Sequence, residues 1–129
     1  MYTDKIYFKT KISDTEIIKL TEDNNDNLDA AIGAADSLID SYLKSVVEIP
    51  MAAPPEIIRQ LSYDIAVFYL HDRIQYNEIP ERVKDKYDAA LNFLKDIAAH
   101  KANLPLPSDN IKKGIYFESQ NNVFDRNTF

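Results

Sequence analysis

The sequence contains no cysteine, which removes several kinds of chemistry at once. Without cysteine the chain can form no disulfide, and it offers no thiolate for a zinc site or for nucleophilic catalysis. Glycine is nearly as scarce, because Gly33 and Gly114 are the only two. A phosphate-binding loop and the strained turn of a hydrolase serine both need closely spaced glycines. The sequence therefore supports neither a phosphotransferase nor a serine hydrolase.

Long apolar runs are also missing. No window approaches the roughly 18 consecutive apolar residues of a membrane-spanning helix, and residues 1–5 contain no apolar core of a secretion signal. We therefore expect the protein to stay in the compartment where it is made. A formal net charge of −6 argues against a general nucleic-acid binder, because contact with phosphates needs a basic surface. That balance still leaves room for a local basic patch.

The composition is that of one globular domain. The chain has 129 residues, of which 45% are hydrophobic and 28% charged, enough for a single modest core. The spacing of the apolar residues predicts an all-α fold, a compact bundle of about four helices with an irregular N-terminal arm and an extended C-terminal tail. We expect residues 1–107 to form the helical domain and residues 108–129 to form the tail.

The first quarter of the chain has mixed patterns. Residues 1–12 mix apolar side chains with lysines, which favours a short extended arm or an edge strand over a helix. Ser13 and Glu16 have the spacing of a capping box, in which each side chain accepts a hydrogen bond from the other residue's backbone N–H. This pattern predicts a first helix over about 14–21. Residues 21–27 contain no apolar side chain and predict a loop.

Three longer helices follow. Apolar residues spaced by three and four predict the second helix over about 28–46. Three prolines between residues 49 and 55 end it, because proline is not tolerated inside a helix. The third helix is predicted over about 56–76 and the fourth from Pro80 to about His100. The third is apolar over more than half its circumference, so we expect it to be central or to contact a partner.

The last two dozen residues are too apolar for a mere linker. They show no helical spacing, and their aromatic side chains have few apolar neighbours in sequence. Exposed aromatic rings on such a segment usually bind a groove on the same or another subunit. We favour another subunit or a partner protein, with four interaction residues as anchors: Tyr116, Phe117, Phe124 and Phe129.

Two patterns suggest metal binding, and each has a simpler explanation that we prefer. Asp23, Asn25 and Asn27 stand at alternate positions, as oxygen ligands do in a calcium loop. Two later positions do not fit such a loop. Leu28 stands where the sharp turn needs glycine, and Ala34 stands where a glutamate should close the loop with both carboxylate oxygens. A polar cap for the second helix explains the pattern better. We predict no metal and no cofactor.

The remaining candidates are carboxylates and a histidine. His71 with Asp64 or Asp72 could act as a general base or as a metal ligand oriented by a carboxylate. A helix-end salt bridge and a partly buried imidazole are the more common explanation, and we prefer it. Asp36 and Asp40 also have the spacing to face Asp64 across a bundle or to point to solvent. Neither histidine is preceded by a glutamate at three residues' distance, which removes the usual di-iron signature.

Gly33 lies among alanines in the second predicted helix and gives it a smooth face. Such a face permits close approach, either of another helix of the same chain or of a second subunit. A separate hypothesis is a ligand pocket between the third and fourth predicted helices, although aromatic stripes of this kind more often form a core. Its lining would be Tyr63, Phe68, Tyr69, Tyr87 and Phe93.

Several motifs in register resemble a small family of Mu-like bacteriophages and prophages. The strongest motif in the third predicted helix is Asp-Ile-Ala, followed after two residues by Tyr-Leu-His. In the fourth it is Tyr, Ala-Leu, Leu and Ile-Ala, each separated from the next by two residues. An Ile-Asp-Ser-Tyr-Leu helix end, a Lys-Ala-x-Leu-Pro exit and a closing Phe-Asp-Arg segment accompany them. The chain departs from the family at the acidic turn, which lacks a glycine, and at His100, where the family often has glycine. These motifs are Asp64 to His71, Tyr87 to Ala98, Ile39 to Leu43, Lys101 to Pro105 and Phe124 to Arg126.

The resemblance implies a head-tail connector or head-completion protein. Such a protein would form a ring of identical copies on the portal vertex and would contact portal or tail proteins. DNA would pass through its channel with passive contact at most, and no membrane or catalytic step is expected. It would lie first in the cytoplasm of the bacterial host and then at the head-tail junction of the virion. The competing class is a small helical ligand-binding or regulatory protein that uses the aromatic pocket.

Overall fold

The computed structural model describes residues 1–74 and 78–104, and these residues contain five α-helices. The predicted all-α fold is confirmed, with five helices in place of about four. None of the helices in the described part is both long and apolar enough to cross a membrane. In chain order the helices are α1 (Lys5–Lys11), α2 (Asp14–Thr21), α3 (Asn25–Leu43), α4 (Glu56–Arg73) and α5 (Glu81–Ala98).

Helix α1 occupies the segment predicted to be an extended arm, so that prediction is wrong. The Asp4 carboxylate accepts a hydrogen bond from the Tyr7 backbone N–H at 2.9 Å and caps the helix. Phe8 is fully buried, and its ring packs edge-on against Tyr63 of α4 at 4.8 Å between centroids. Capping and packing therefore outweigh the mixed sequence pattern, because a seven-residue helix depends mainly on its tertiary contacts.

Helix α2 has the bounds that the sequence predicts, and its cap is the predicted one. The Ser13 hydroxyl accepts from the Glu16 backbone N–H at 3.2 Å. The loop after α2 is shorter than predicted, because α3 begins at Asn25. Glu22 takes a left-handed conformation with φ 56° and ends α2, and the Asn24 side chain accepts from the Asp26 N–H at 2.9 Å and starts α3.

Helix α4 is central, as predicted, because it packs against both α3 and α5 and also contacts α2. It ends at Arg73, before the predicted end at Tyr76, which lies outside the described residues. Pro80 caps α5, and that helix ends at Ala98 near its predicted end. One core joins all five helices, and its largest fully buried side chains include Phe8, Leu28, Ile32, Ile39, Ile58, Ile65, Leu70 and Leu94.

Candidate functional site

A cavity of about 500 Å³ opens beside α4, and we call it the α4 groove. Its floor is one face of α4, formed by side chains three or four residues apart. Apolar and polar groups alternate along this floor, so it is neither a plain core stripe nor a plain solvent face. The floor residues are Gln60, Tyr63, Asp64, Val67 and His71.

The junction of α1 and α2 forms one wall of the α4 groove, with Lys11, Ile12, Glu16 and Leu20 lining it. This wall is fixed to α4 from both ends. At one end Phe8 packs on Tyr63, and at the other the guanidinium of Arg73 donates to the Leu20 carbonyl at 3.0 Å and to the Glu22 carboxylate at 3.1 Å. The groove is therefore built by tertiary contacts between segments distant in sequence.

The opposite wall is the start of α5, where Pro80, Arg82, Val83 and Lys86 line the α4 groove. Val83 is half-buried and packs against the core, whereas Arg82 and Lys86 are exposed. The lining thus combines apolar side chains at depth with long cationic side chains at the rim. Such cations keep their charged ends in water while their stems cover apolar surface.

Asp64 is the carboxylate at the floor of the α4 groove. Burial raises the pKa of Asp64, and three groups oppose that rise: the hydrogen bond from Gln60, then Lys86 and Lys11. The Gln60 amide donates to the Asp64 carboxylate at 2.9 Å. The half-buried charge is therefore supported by an amide from its own helix and by cations from both walls.

A hydrogen-bonded chain connects this floor to α1. The Tyr7 hydroxyl donates to the Glu56 carboxylate at 2.8 Å, and the side-chain oxygen of Gln60 lies 3.1 Å from the same hydroxyl. Burial and the bond to Glu56 raise the pKa of Tyr7 to about 12, so the hydroxyl stays protonated near neutrality. Because Gln60 also binds Asp64, the network orients the floor carboxylate.

His71 lies at the far end of the same floor. Burial lowers the pKa of His71, and the Glu16 carboxylate on the wall formed by α1 and α2 partly opposes that effect. The described residues hold no group of three or more histidine, aspartate or glutamate side chains placed to bind a metal ion. His71 is therefore a partly buried imidazole with the Glu16 carboxylate nearby.

The α4 groove is locally basic on an acidic protein. Lys11, Arg82 and Lys86 contribute three positive charges to its lining, against two carboxylates from Glu16 and Asp64. The whole chain has a formal net charge of −6. The groove therefore favours a ligand that brings both apolar groups and negative charge.

Asp36 and Asp40 do not join Asp64 in a site. Both bind Tyr2, whose backbone N–H donates to Asp36 at 3.0 Å and whose hydroxyl donates to Asp40. The Ser62 hydroxyl of α4 donates to the other oxygen of Asp36 at 2.8 Å. Burial raises the pKa of Asp36, while the bonds from Ser62 and Tyr2 oppose that rise. This network anchors the N-terminal residues to α3 and α4.

The calcium-loop pattern is used for helix structure. Asn25 and Asn27 both lie within α3, and a helix does not have the tight turn along which alternate residues bind calcium. The Asn27 amide donates to the Thr21 carbonyl at 2.9 Å, and the Asn25 side-chain oxygen accepts from Lys5 at 3.1 Å. These contacts and the Asn24 cap support the polar-cap interpretation.

Gly33 does not mark a helix crossing within the described chain. A methyl group built at Gly33 would have no neighbouring atom within 4 Å, apart from its own helix. Ala31 and Ala35 face the core, whereas Ala30 and Ala34 are exposed and line a shallow cavity of about 330 Å³ beside Tyr69. The buried Ala31 and Ala35 thus take part in the packing of α3 within the chain, whereas Gly33 itself does not, and a subunit contact at Gly33 stays a prediction.

The predicted aromatic pocket is mostly filled by its own rings. Phe68 and Tyr87 stack at 3.9 Å between centroids with an interplanar angle of 11°, and Tyr69 lies 6.0 Å from Tyr87. Burial and the neighbouring Tyr87 raise the pKa of Tyr69 to about 12. Tyr63 is the one predicted lining residue that lines the α4 groove. The α4 groove therefore includes Tyr63 from the predicted lining but none of the other four aromatic residues.

The other predicted interaction residues, Tyr116, Phe117, Phe124 and Phe129, lie outside the described residues, as does the proposed domain boundary at residue 107. The cationic rim, Lys11, Arg82 and Lys86, was not among the predicted site residues. The sequence of α4 did indicate that a groove could lie beside it, because Gln60, Asp64 and His71 interrupt its apolar stripe. Polar residues at positions where the helical period predicts buried apolar ones indicate a face that is not fully packed in the core.

The structure thus defines an all-α protein with an open groove beside α4. The family model described as "Bacteriophage Mu, Gp36" matches residues 2–114 of the chain. Because the match covers most of the sequence, the chain belongs to this family and is a protein of a Mu-like phage. A search among curated proteins finds no match to the chain.

Proposed function

We propose that this protein is a head-tail connector of a Mu-like phage, a structural protein without catalytic activity. In this proposal identical copies form a ring on the portal vertex and contact portal or tail proteins. The protein would be made in the cytoplasm of the host bacterium and end at the head-tail junction of the virion. Membership of the Mu Gp36 family supports the phage context, and the α4 groove is the observation that supports assembly.

A closed ring is made by heterologous contacts, in which two different surfaces of each copy meet. The α4 groove is one such surface, because the half-buried Tyr63 and Val83 line it beside a charged rim. The second surface would come from residues 108–129, which carry Tyr116, Phe117, Phe124 and Phe129 in 22 residues of the sequence. The Gly33 face of α3 is a further candidate for a contact between copies.

The charge of the protein is consistent with a channel for DNA. A formal net charge of −6 disfavours tight binding to phosphates, because a protein binds DNA by replacing its counterions with cationic side chains. Passing DNA would therefore be in passive contact at most. A connector needs this property, since DNA must move through it without being held.

The solution mass of the full chain and of a truncation after Pro107 tests the proposal. Light scattering over a wide concentration range should show rings or large oligomers for the full chain and their loss on truncation. Circular dichroism should show that the truncated chain keeps its helices. A full-length variant with serine at positions 116, 117, 124 and 129 should behave as the truncation does. Unchanged assembly in both variants would contradict a role of the tail.

A functional test uses phage particles. A Mu-like phage that lacks this gene should make DNA-filled heads and free tails that do not join, and adding the purified full chain to the extract should join them. Joined particles in the absence of the protein would overturn the connector proposal.

The volume of the α4 groove supports a second candidate function, since about 500 Å³ lies within the range of small-molecule sites. In this alternative the protein is a small helical ligand-binding or regulatory protein. Native mass spectrometry of the purified chain should then detect a retained small molecule, and groove variants should release it. A chain that carries no ligand and assembles with concentration favours the connector.

A further inference from the structure

The α4 groove has chemistry that selects its ligand. Tyr63, Val67 and Val83 supply an apolar lining, and Lys86 and Arg82 supply positive charge at the α5 rim. An apolar group that enters this lining releases water, and a carboxylate beside it would meet the cations at the rim. The expected ligand is therefore a short segment in which bulky apolar residues are followed directly by an acid.

The chain itself contains such a segment. Ile115, Tyr116 and Phe117 are consecutive, and Glu118 follows them at once. We infer that residues 115–118 of one copy bind in the α4 groove of a neighbouring copy, with the apolar residues on the floor and Glu118 toward Lys86 and Arg82. This inference rests on the proposed function and names the two surfaces of its ring contact.

The ring of the proposed function, and not the reach of the chain, assigns the segment to a neighbouring copy. Leu104 packs against the core beyond the end of α5, whereas the α4 groove lies at the start of that helix. The 18 residues of α5 span about 27 Å. Residues 105–117 reach at most about 45 Å when fully extended. The segment therefore reaches the groove of either copy, a closed ring requires the contact between copies, and cross-linking between chains distinguishes the two.

Disulfide trapping tests the inference directly, because the chain has no cysteine of its own. The trapping variant combines Val83→Cys at the groove wall with Ser119→Cys beside Glu118, which keeps all four binding residues. The matched control combines Ile6→Cys with Ser119→Cys, since Ile6 is 73% exposed on α1 and does not line the groove. Mild oxidation of the full chain followed by a non-reducing gel provides the readout.

We expect the trapping variant to give a ladder of covalent multimers, at least about tenfold more than the control at equal concentration. Glu118→Lys in the trapping background should reduce the ladder to the control level, and adding Lys86→Glu should restore it by exchanging the charges. Cross-links confined to single chains would overturn the assignment to a neighbouring copy. A ladder no stronger than the control would overturn the groove as the binding site.

The two proposals fail in different ways. If light scattering shows assemblies that depend on the tail while the trapping variant matches its control, the connector proposal stands and this inference falls. If the ladder forms and responds to the charge exchange while phage heads join tails without the protein, the groove contact is real and the connector role is wrong.

Discussion

The Tyr2 hydroxyl donates a hydrogen bond to Asp40 of α3 and accepts one from the Met51 backbone N–H at 3.1 Å. A single side chain at the start of the sequence thus joins α3 to the proline-rich connection before α4. Tyr2 is only 5% exposed, so its hydrogen bonds to Asp40 and to the Met51 N–H are largely shielded from water. Burial and the Asp40 contacts raise the pKa of Tyr2, so it remains a hydroxyl donor throughout the physiological range.

We therefore expect Tyr2→Phe to lower the free energy of unfolding by about 2 kcal/mol, because Asp40 loses a donor and the Met51 N–H loses its acceptor. Chemical denaturation followed by circular dichroism measures the loss. Tyr42→Phe removes a hydroxyl from a half-buried position on α3 and should change stability by less than about 0.5 kcal/mol. Equal effects of the two substitutions would show that the Tyr2 network contributes no specific stability.

Gly33→Ala should stabilise the protein by about 0.5–1 kcal/mol. The added methyl group meets no atom within 4 Å, and alanine has a higher helix propensity than glycine. Ala34→Gly, at the next and exposed position of α3, should cost a similar amount. Thermal unfolding of both variants tests the pair. A destabilised Gly33→Ala would mean that this face is in close contact with something in solution.

The larger substitution Gly33→Leu tests the same face as a subunit contact. It should leave the helix content unchanged, because the space around Gly33 is open in the described chain. If copies meet at this face, light scattering should show weaker assembly of Gly33→Leu than of Gly33→Ala. Assembly equal to that of the unmodified chain would remove Gly33 from the interface.

Asp64→Asn should increase stability at pH 7, because burial raises the pKa of Asp64 in the folded state above its usual 3.8. The folded protein then binds the proton more tightly than the unfolded chain, so stability falls as pH rises through the interval between the two values. The gain of Asp64→Asn should shrink on acidification to below about pH 4, where both states are protonated. Melting temperatures between pH 3 and 8 give the profile.

Asp88→Asn is the matched control for that profile, since Asp88 is an exposed aspartate of α5. It should shift the melting temperature little at any pH in the same range. A loss of stability in Asp64→Asn at pH 7 would contradict the prediction and would show that Lys11 and Lys86 compensate the buried charge fully.

Tyr87→Ala should lower the free energy of unfolding by about 2 kcal/mol, because it removes the ring that stacks on Phe68 at 3.9 Å and joins α5 to α4. Tyr87→Phe keeps the stacked ring and should cost less than about 0.5 kcal/mol. Urea denaturation separates the two variants. A small loss in Tyr87→Ala would mean that the stack adds little to the contact between these helices.

Much of the helical structure was predictable because its signals are local. The Ser13 cap fixes the start of α2, and the prolines before Glu56 and at Pro80 fix the starts of α4 and α5. The same locality misled the prediction for residues 1–12. There the Asp4 cap is a local signal that was overlooked, and the packing of Phe8 on Tyr63 is a distant contact that no local pattern contains.

The candidate site was less predictable than the fold. Tyr63 was placed correctly between α4 and α5, but Phe68, Tyr69 and Tyr87 pack on one another. Aromatic residues at helical spacing suit a pocket lining and a self-packed cluster equally, and the choice depends on how the two helices cross. Lys11 illustrates the same limit, because it reaches the site only through the position of α1 against α4.

The sequence by itself determined the all-α class, most helix bounds and the phage family. The spacing of apolar residues, the helix caps, the prolines and the order of the motifs can all be recognised from residues that are close in the sequence. Only the tertiary structure decided that α1, α2, α4 and α5 leave a groove between them and that its rim is basic on an acidic chain. The physical reason is that a cavity belongs to surfaces from distant segments, whose relative positions are set by the packing of the shared core.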